Sequence, residues 1–358
     1  MLKNILDLSK KLISIPSTKD NPGELKRVLD LAIIELGNAY TVEYFTKNNI
    51  PSALIYNSKT RPKKFKIILN AHLDVVPAKN EQYQPVIKDG KLFGRGAYDM
   101  KAPAACEILA FREMAKTIKY PLALQLVTDE EIGGFDATKF QLDQGIRSDF
   151  SIAGESTEFG IKNQAKGIIW AKIRTKGEAS HGAYPWQGKN AIWMMNDVLN
   201  KLRKHYPEMK KEEWKTTVNI AKIETSNTTY NKVPDDCVLG IDVRYIPAET
   251  KTIASKLKKI LPKGAEVEIL VKEPAQFTPQ SNGYIKILRQ ITTTYTRKSV
   301  PLILKPGASD IRHFNRVGCD GVEFGPCGYG LHTDNEWVDI KSLETYYNIL
   351  KKFLLSVA

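Results

Sequence analysis

The stretch FKIILNAHLDVVP, Phe65 to Pro77, contains a predicted buried strand and gives the first indication of a functional site. It opens with the apolar run Ile67 to Leu69, which has the length and β-branched content of a buried strand. It then changes to His72 and Asp74, which are two apart and point the same way on an extended chain. A carboxylate beside an imidazole can fix its tautomer and leave the other nitrogen free for a metal ion. The alternative is a strand end followed by polar loop residues, and this segment alone leaves the choice open.

The composition is that of a globular protein. The chain has 358 residues, of which 42% are hydrophobic and 26% are charged, and its length allows one large or two ordinary domains. No apolar run approaches the roughly 20 residues that span a bilayer, so we expect no membrane association. The N-terminus interleaves Lys and Asp with apolar residues and predicts an amphipathic helix, so a cytoplasmic location is expected. The four cysteines form no CxxC pair and indicate reduced thiols.

The formal net charge of +13 raises the question of a nucleic-acid partner. Lysines and arginines are spread through the predicted helices, and no basic stretch is interleaved with aromatic residues as a binding stripe would be. We therefore expect a solvated basic surface and no nucleic-acid binding. Such a surface attracts small anionic substrates.

Predicted helices and buried strands alternate along both ends of the chain. Helices are predicted at residues 2–12, 22–36 and 103–115, and strands at residues 65–70 and 122–127, which indicates an α/β sheet with helices on both faces. Residues 167–274 instead give the order β-α-β-β-α-β, a ferredoxin-like α+β unit. The simplest arrangement is one α/β domain made of residues 1–166 and 275–358, with a smaller domain inserted between them.

Four further segments carry acidic or histidine side chains in predicted loops after strands: GRGAYDMK with Asp99, TDEEIGG with Glu130 and Glu131, GES with Glu155, and a glycine-rich loop with His332. Each could be an ordinary polar loop. Adjacent carboxylates, however, repel each other unless a cation or a proton is present, and α/β folds place their sites at strand ends. Two imidazoles with several carboxylates suit a pair of Zn²⁺ or similar ions. Two metals that share a carboxylate can hold a hydroxide at neutral pH, and an unligated carboxylate can move the proton.

The ordered set HLDVVP, GRGAYDMK, TDEEIGG, GES, SHGAYP and the late glycine-rich loop with His332 resembles the M20 metallopeptidase family over essentially the whole chain. The resemblance implies a di-zinc exopeptidase-like main domain. It implies that one metal is held by His72, Asp99 and Glu155, and the other by Asp99, Glu131 and His332, so that Asp99 bridges. It also implies that Glu130 is the general base, that Asp74 orients His72, and that the Asp99–Met100 peptide is cis. Co²⁺ and Mn²⁺ are alternatives to Zn²⁺.

The inserted domain carries its own polar set. The resemblance implies that this domain is a lid and forms a homodimer, and that His181 reaches the partner's active site to stabilise the oxyanion. It assigns Asn231 and Arg244 to the substrate carboxylate, for which an arginine has suitable bidentate geometry. Lys166 resembles a basic residue just before this domain. Ser309 lies in GASDIRHF, which matches a substrate loop but replaces part of its usual glycine and threonine with Pro306 and Ala308.

The motifs are closest to the succinyl-diaminopimelate desuccinylase and acetylornithine deacetylase branch. We therefore expect a two-metal amidohydrolase that cleaves small anionic N-acyl amino acids or short peptides. The alternatives are a di-zinc dipeptidase or carboxypeptidase of the same family and a non-catalytic binding relative. A missing ligand or base would indicate the last, and none is missing. His205 and His313 match no ligand position and are interpreted as ordinary.

Overall fold

The computed structural model describes residues 1–357 and divides into two compact units. The first comprises Met1–Gln164, Phe277–Ile303 and Ser309–Ala358, and the second comprises Ala165–Gln276 and Leu304–Ala308. No helix among the described residues combines the length and apolar character needed to cross a lipid bilayer.

Nine α-helices lie within residues 1–357: α1 (Leu2–Ile13), α2 (Pro22–Leu36), α3 (Lys101–Met114), α4 (Thr138–Asp143), α5 (Ala191–His205), α6 (Ile253–Ile260), α7 (Gly283–Thr296), α8 (Ile311–Arg316) and α9 (Ile340–Ser356). The strands in the same range are β1 (Thr41–Lys47), β2 (Ile50–Tyr56), β3 (Phe65–His72), β4 (Val86–Lys88), β5 (Lys91–Phe93), β6 (Leu122–Val127), β7 (Ser148–Ala153), β8 (Ile161–Ala165), β9 (Gly167–Lys176), β10 (Thr217–Glu224), β11 (Asp236–Tyr245), β12 (Ala265–Glu273), β13 (Gln276–Phe277), β14 (Leu302–Lys305), β15 (Asp320–Glu323), β16 (Gly328–Tyr329) and β17 (Trp337–Asp339).

The main sheet has the strand order β1-β2-β6-β3-β7-β15-β8-β13, and β14 pairs with β8 beside this path. Its centre is parallel, because β3 pairs in parallel with β6 and β7, and β15 pairs in parallel with β7. Strand β3 is almost wholly buried, which explains why its apolar residues run without alternation. The carboxyl ends of the four parallel strands share one edge of the sheet, where α/β proteins bind their ligands.

Helices cover both faces of this sheet, as predicted. Helices α1, α3, α7 and α9 pack together and contribute to the largest apolar core, while α4 and α8 pack on the opposite face. The predicted limits of α2 are confirmed. The Asn21 side chain accepts from the Glu24 N–H at its start, and Gly37, with φ 79°, follows its last residue.

The second unit has the predicted order β-α-β-β-α-β, formed by β9, α5, β10, β11, α6 and β12. Its sheet is antiparallel with the order β10-β11-β9-β12. Alternate residues of β9, among them Ile169 and Ile173, meet Met195 and Val198 of α5 in a separate apolar core.

A third, four-stranded sheet, β16-β17-β5-β4, was not predicted. Its strands have only two or three residues, which is too short for a hydrophobic period to be recognised. This small sheet joins residues 86–93 to residues 328–339 and so brings two distant parts of the sequence together.

Candidate metal centre

Three parallel strands deliver four of the predicted site residues to one edge of the main sheet. His72 is the last residue of β3, the pair Glu130 and Glu131 follows β6, and Glu155 follows β7 by two residues. Their proximity follows from the parallel pairing of these strands.

The small sheet β16-β17-β5-β4 positions the other two predicted metal ligands, Asp99 and His332. Phe93, at the end of β5, pairs with Trp337, at the start of β17. Asp99 lies six residues after Phe93, and His332 lies five residues before Trp337, so one strand pair places both near the sheet edge. The Asp99–Met100 peptide bond is cis, which confirms what the resemblance implied.

The two carboxylate oxygens of Asp99 face two different imidazoles. Oδ1 lies 3.0 Å from Nε2 of His72, and Oδ2 lies 3.3 Å from Nε2 of His332. Glu155 Oε1 lies 3.6 Å from the same His72 nitrogen, and Glu131 Oε2 lies 3.1 Å from the His332 nitrogen. The side chains therefore form two adjoining groups with Asp99 between them.

Glu130 belongs to the first of these groups. The ligand atoms of Glu130, Glu155 and His72 lie within 4.8 Å of one another. The ligand atoms of Asp99, Glu131 and His332 form a second group that meets the same limit. His72 is buried, whereas the side chain of His332 is 46% exposed. The second group is therefore the one that solvent reaches more easily.

The charges in the two groups change the pKa of both imidazoles. Burial lowers the pKa of His72, but the neighbouring carboxylates of Asp74, Asp99 and Glu155 outweigh it and raise the pKa well above its usual value. Hydrogen bonds to Asp99 and Glu131 raise the pKa of His332 to about 10. Burial, and then the charge of Glu155, raises the pKa of Glu130. This is the electrostatic pattern of a site with excess negative charge, which a cation would neutralise.

Asp74 has a position that the sequence did not indicate. Strand β3 ends at His72, so Asp74 lies in the following loop. Its carboxylate oxygens accept the N–H groups of Glu130 at 3.3 Å and Glu131 at 3.0 Å, and Oδ1 lies 3.6 Å from Nδ1 of His72. The nearer contact of that ring nitrogen, 3.1 Å, is with the main-chain oxygen of Asp74. Asp74 thus touches both His72 and the glutamate pair, and its orienting role stays a prediction.

Two side chains of α8 hold the turn that follows the glutamate pair. The carbonyl oxygen of Gly133 accepts from Arg312 Nη2 at 2.6 Å and lies 2.9 Å from Nε2 of His313. His313 is fully buried, and burial, followed by the positive charge of Arg312, lowers its pKa to about 3. The interpretation of His313 as ordinary therefore missed its contact with this turn. Nothing local could have revealed it, because the two residues are 180 positions apart.

Asp310, just before α8, contacts the same turn. Its Oδ2 accepts from the Thr138 hydroxyl, and a Cβ atom placed on Gly134 would overlap its Oδ1. The neighbouring Ser309, predicted to bind substrate, is fully buried, and its carbonyl accepts from Arg312 at 2.7 Å. Its role in substrate binding stays a prediction.

In the second unit, His181 and Asn231 lie together. The N–H of Gly182, next to His181, donates to the main-chain carbonyl of Asn231 at 2.6 Å. The side chains of His181 and Asn231 are exposed. His181 Nδ1 accepts the N–H of Ala183 at 3.1 Å, so a neutral ring carries its proton on Nε2. His181 therefore presents an N–H donor to solvent even when it is uncharged.

The other two predicted substrate ligands of this unit have intramolecular partners. Lys166 is buried, with Nζ 5.9 Å from the ring centre of Trp214, and burial lowers its pKa. Arg244 Nε donates to both carboxylate oxygens of Asp242 at 2.9 and 3.1 Å. The contact with Asp242 uses only the Nε atom of the Arg244 guanidinium. The roles of Lys166 and Arg244 in substrate binding stay predictions.

Sequence reasoning also missed Glu336, four residues after His332. Its buried carboxylate accepts three main-chain N–H groups from the segment that carries Asp99. An acidic residue beside a candidate ligand loop was a visible signal, but its partners lie about 240 residues away.

The donor set of the two groups fits divalent metal ions. Each group offers one imidazole nitrogen and carboxylate oxygens, which are common protein ligands of zinc. Oxygen and imidazole donors without thiolate suit Zn²⁺ and also Mn²⁺ or Co²⁺, so the ligands alone do not select one ion.

Comparison with known proteins gives four matches. The model of "Peptidase family M20/M25/M40" matches residues 68–356. A succinyl-diaminopimelate desuccinylase of Bordetella petrii is 26% identical over 98% of this chain and 97% of its own length. Among solved structures, aminopeptidase PepT from Bacillus cereus has a TM-score of 0.79 at 19% identity and covers 100% of this chain and 99% of that one. The Bacillus subtilis YXEP protein, described as a dinuclear metal-binding peptidase, has a TM-score of 0.73 at 14% identity, with 99% and 98% coverage.

Proposed function

The chain belongs to peptidase family M20/M25/M40 and is a metal-dependent amidohydrolase, and from that premise we propose that it hydrolyses the amide bond of small anionic N-acyl amino acids. The products are a carboxylate and a free amine. The desuccinylase named above, which matches almost the full length of both chains, supports this choice of substrate class over a dipeptide. The net charge of +13 supports it further, because a positive field speeds the encounter with anions.

The observation that carries the proposal is the position of Asp99 between two imidazoles. One oxygen of its carboxylate faces His72 and the other faces His332, at 3.0 and 3.3 Å. A carboxylate that lies between two sets of candidate ligands could be shared by a pair of metal ions. We propose that His72, Asp99 and Glu155 hold one ion and that Asp99, Glu131 and His332 hold the other. Zn²⁺ is the proposed ion, with Co²⁺ or Mn²⁺ as alternatives.

When bound, the two ions would polarise the scissile carbonyl and lower the pKa of water. Glu130 accepts a proton from the attacking water and donates it to the amide nitrogen as the carbon–nitrogen bond breaks. Asp74 holds Glu130 in place, because its carboxylate accepts the Glu130 N–H. The neighbouring Glu131 is held by the other oxygen of Asp74, so one carboxylate fixes both members of the pair.

We further propose that the protein is a homodimer through the inserted domain and that His181 of one subunit acts on substrate bound to the other. The exposed Nε2–H of His181 supports a role as donor to the oxyanion that forms when water adds to the carbonyl. Asn231, which lies beside His181, is proposed to bind the same substrate, and Arg244 to bind its carboxylate.

Isosteric variants of the adjacent glutamates test the division of roles. Glu130→Gln should retain both metal ions and lower kcat by about a hundredfold or more, as loss of a general base implies. The matched control, Glu131→Gln, should lower metal content instead. Metal analysis and steady-state kinetics on both variants provide the measurement. If Glu130→Gln loses metal and recovers activity when metal is added, the two roles are reversed.

A substrate panel tests the reaction. N-succinyl amino acids, N-acetyl amino acids and dipeptides would be compared at equal concentration with added Zn²⁺, Co²⁺ or Mn²⁺. We expect the largest kcat/KM for an N-acyl amino acid that carries an additional carboxylate. Faster cleavage of dipeptides than of any N-acyl amino acid would contradict the proposal.

A further inference from the structure

The buried carboxylate of Glu336 gathers the backbone of the segment that carries Asp99. One oxygen accepts three main-chain N–H groups, from Gly96 at 2.9 Å, Tyr98 at 2.9 Å and Asp99 at 3.1 Å. The other oxygen accepts from Nη1 of Arg95 at 2.5 Å. All four donors lie within five consecutive residues, although Glu336 is about 240 residues distant in sequence.

The main chain of Glu336 contributes a further bond to the same segment. Its carbonyl oxygen accepts the Gly94 N–H at 3.2 Å, directly beside the strand pair that joins Phe93 to Trp337. The register of these two short strands therefore fixes where Glu336 lies. Its side chain then extends the contact past the end of β5 as far as Asp99.

The chemistry of these contacts is specific to a carboxylate. Buried main-chain N–H groups need acceptors, and three that converge on one point need an acceptor with several lone pairs and a negative charge. Arg95 is itself buried and balances that charge. A neutral side chain could not satisfy both the three N–H groups and the guanidinium.

We infer that Glu336 is a positioning residue for the metal centre, which fixes the backbone of Asp99 so that its two oxygens face His72 and His332. The inference rests on the proposed role of Asp99 as the shared ligand. Glu336 contacts neither imidazole through a hydrogen bond, so it acts through Asp99. Because it lies four residues after His332, the same residue connects the loop of one ligand to the backbone of another.

The contrasting case is Glu107 on α3. It is also fully buried, but its Oε1 accepts from the Tyr346 hydroxyl at 3.0 Å and its Oε2 has no hydrogen-bond partner. Burial raises the pKa of Glu107 well above the usual value, so Gln is a close substitute for its neutral form. Glu107→Gln is therefore a control for an acid-to-amide change at a buried position outside the segment of Asp99.

The test is a metal titration of the metal-free protein. Zn²⁺ affinity would be measured by competition with a chromogenic chelator for wild type, Glu336→Gln, Glu336→Ala and Glu107→Gln. Mutation of a residue that orients a metal ligand typically lowers the metal affinity by about 10–100-fold. We expect a loss of this size for Glu336→Ala, a smaller loss for Glu336→Gln, which keeps one acceptor oxygen, and a change of less than about twofold for Glu107→Gln.

Stability of the metal-free variants separates positioning from a merely structural role. If the Glu336 variants unfold at a lower temperature but the folded protein binds Zn²⁺ as tightly as wild type, the inference is overturned. If Glu336→Ala does not fold, Glu336→Gln still decides the question. Hydrogen exchange in metal-free wild type needs no variant. The amides of Tyr98 and Asp99 should be protected, and rapid exchange at both would also overturn the inference.

The same titration distinguishes this inference from the proposed reaction. If wild type binds two ions and cleaves no N-acyl amino acid, the proposed substrate class is wrong, while the affinities of the Glu336 variants still decide the inference. If wild type binds two ions and is active, but Glu336→Gln and Glu336→Ala bind as wild type does, only the inference fails. If wild type binds no ion, the proposed function fails and the inference fails with it.

Discussion

Gly134 is the position where a single added methyl group should disturb the turn after the glutamate pair. Its φ is +64°, which L-residues adopt only at a cost, and its N–H donates to the Asp129 carbonyl at 2.7 Å. A Cβ atom there would overlap Oδ1 of Asp310. Asp310 is fully buried and its Oδ2 is bonded to Thr138, so it cannot swing away freely. We therefore expect Gly134→Ala to carry both a backbone cost and a packing cost.

Gly145 provides a matched control for the backbone cost. Its φ is +86°, but no atom lies within 4 Å of the position that its Cβ would take. Gly145→Ala should therefore lower the free energy of unfolding only by the cost of the left-handed conformation, about 1–2 kcal/mol. Gly134→Ala should cost the same plus about 1–3 kcal/mol for overpacking, or about 2–5 kcal/mol in total. The difference between the two variants isolates the contact with Asp310.

The assay is denaturant-induced unfolding of the metal-free variants, with Gly134→Ala also combined with Asp310→Ala. Removing the Asp310 carboxylate should relieve the overlap, so the double variant should be more stable than the sum of the single effects by about 1–3 kcal/mol. Equal costs for Gly134→Ala and Gly145→Ala, or strict additivity with Asp310→Ala, would refute the reasoning.

Two further predictions concern histidines. The pKa of His313 is about 3 in the folded state and about 6.5 in the unfolded state, so the unfolded state is increasingly favoured by protonation as the pH falls below about 6.5. Between pH 7 and pH 5, wild type should therefore lose about 2 kcal/mol of unfolding free energy relative to His313→Gln, measured by denaturant titration. Parallel pH curves for the two proteins would contradict this. If His181 acts across a dimer, mixing inactive His181→Ala with inactive Glu130→Ala should restore partial activity. Mixed dimers must first be shown to form, and with that control passed, no recovery would mean that His181 does not act on the partner's site.

Most of the long helices and strands could be predicted from the sequence, whereas the small third sheet could not. Burial of β3 on both faces produces its unbroken apolar run, and the apolar faces of the helices leave a 3.6-residue period, so both are visible within a single window. The order β-α-β-β-α-β of the inserted unit followed in the same way. The sequence also indicated which residue types could bind metal, because His72, Glu131 and Glu155 lie at or just after the ends of recognisable buried strands.

Apart from the family resemblance, nothing local in the sequence indicates which of these residues meet. The position of Asp99 between His72 and His332 depends on the pairing of β5 with β17, strands of three residues whose register no local period encodes. The same holds for Glu336 and His313, whose partners lie about 240 and 180 residues away. A hydrophobic period reports the environment of one element, whereas a hydrogen bond between distant loops depends on how the intervening elements pack. That is why the ligand types could be read from the sequence, and the side chains that hold them in place could not.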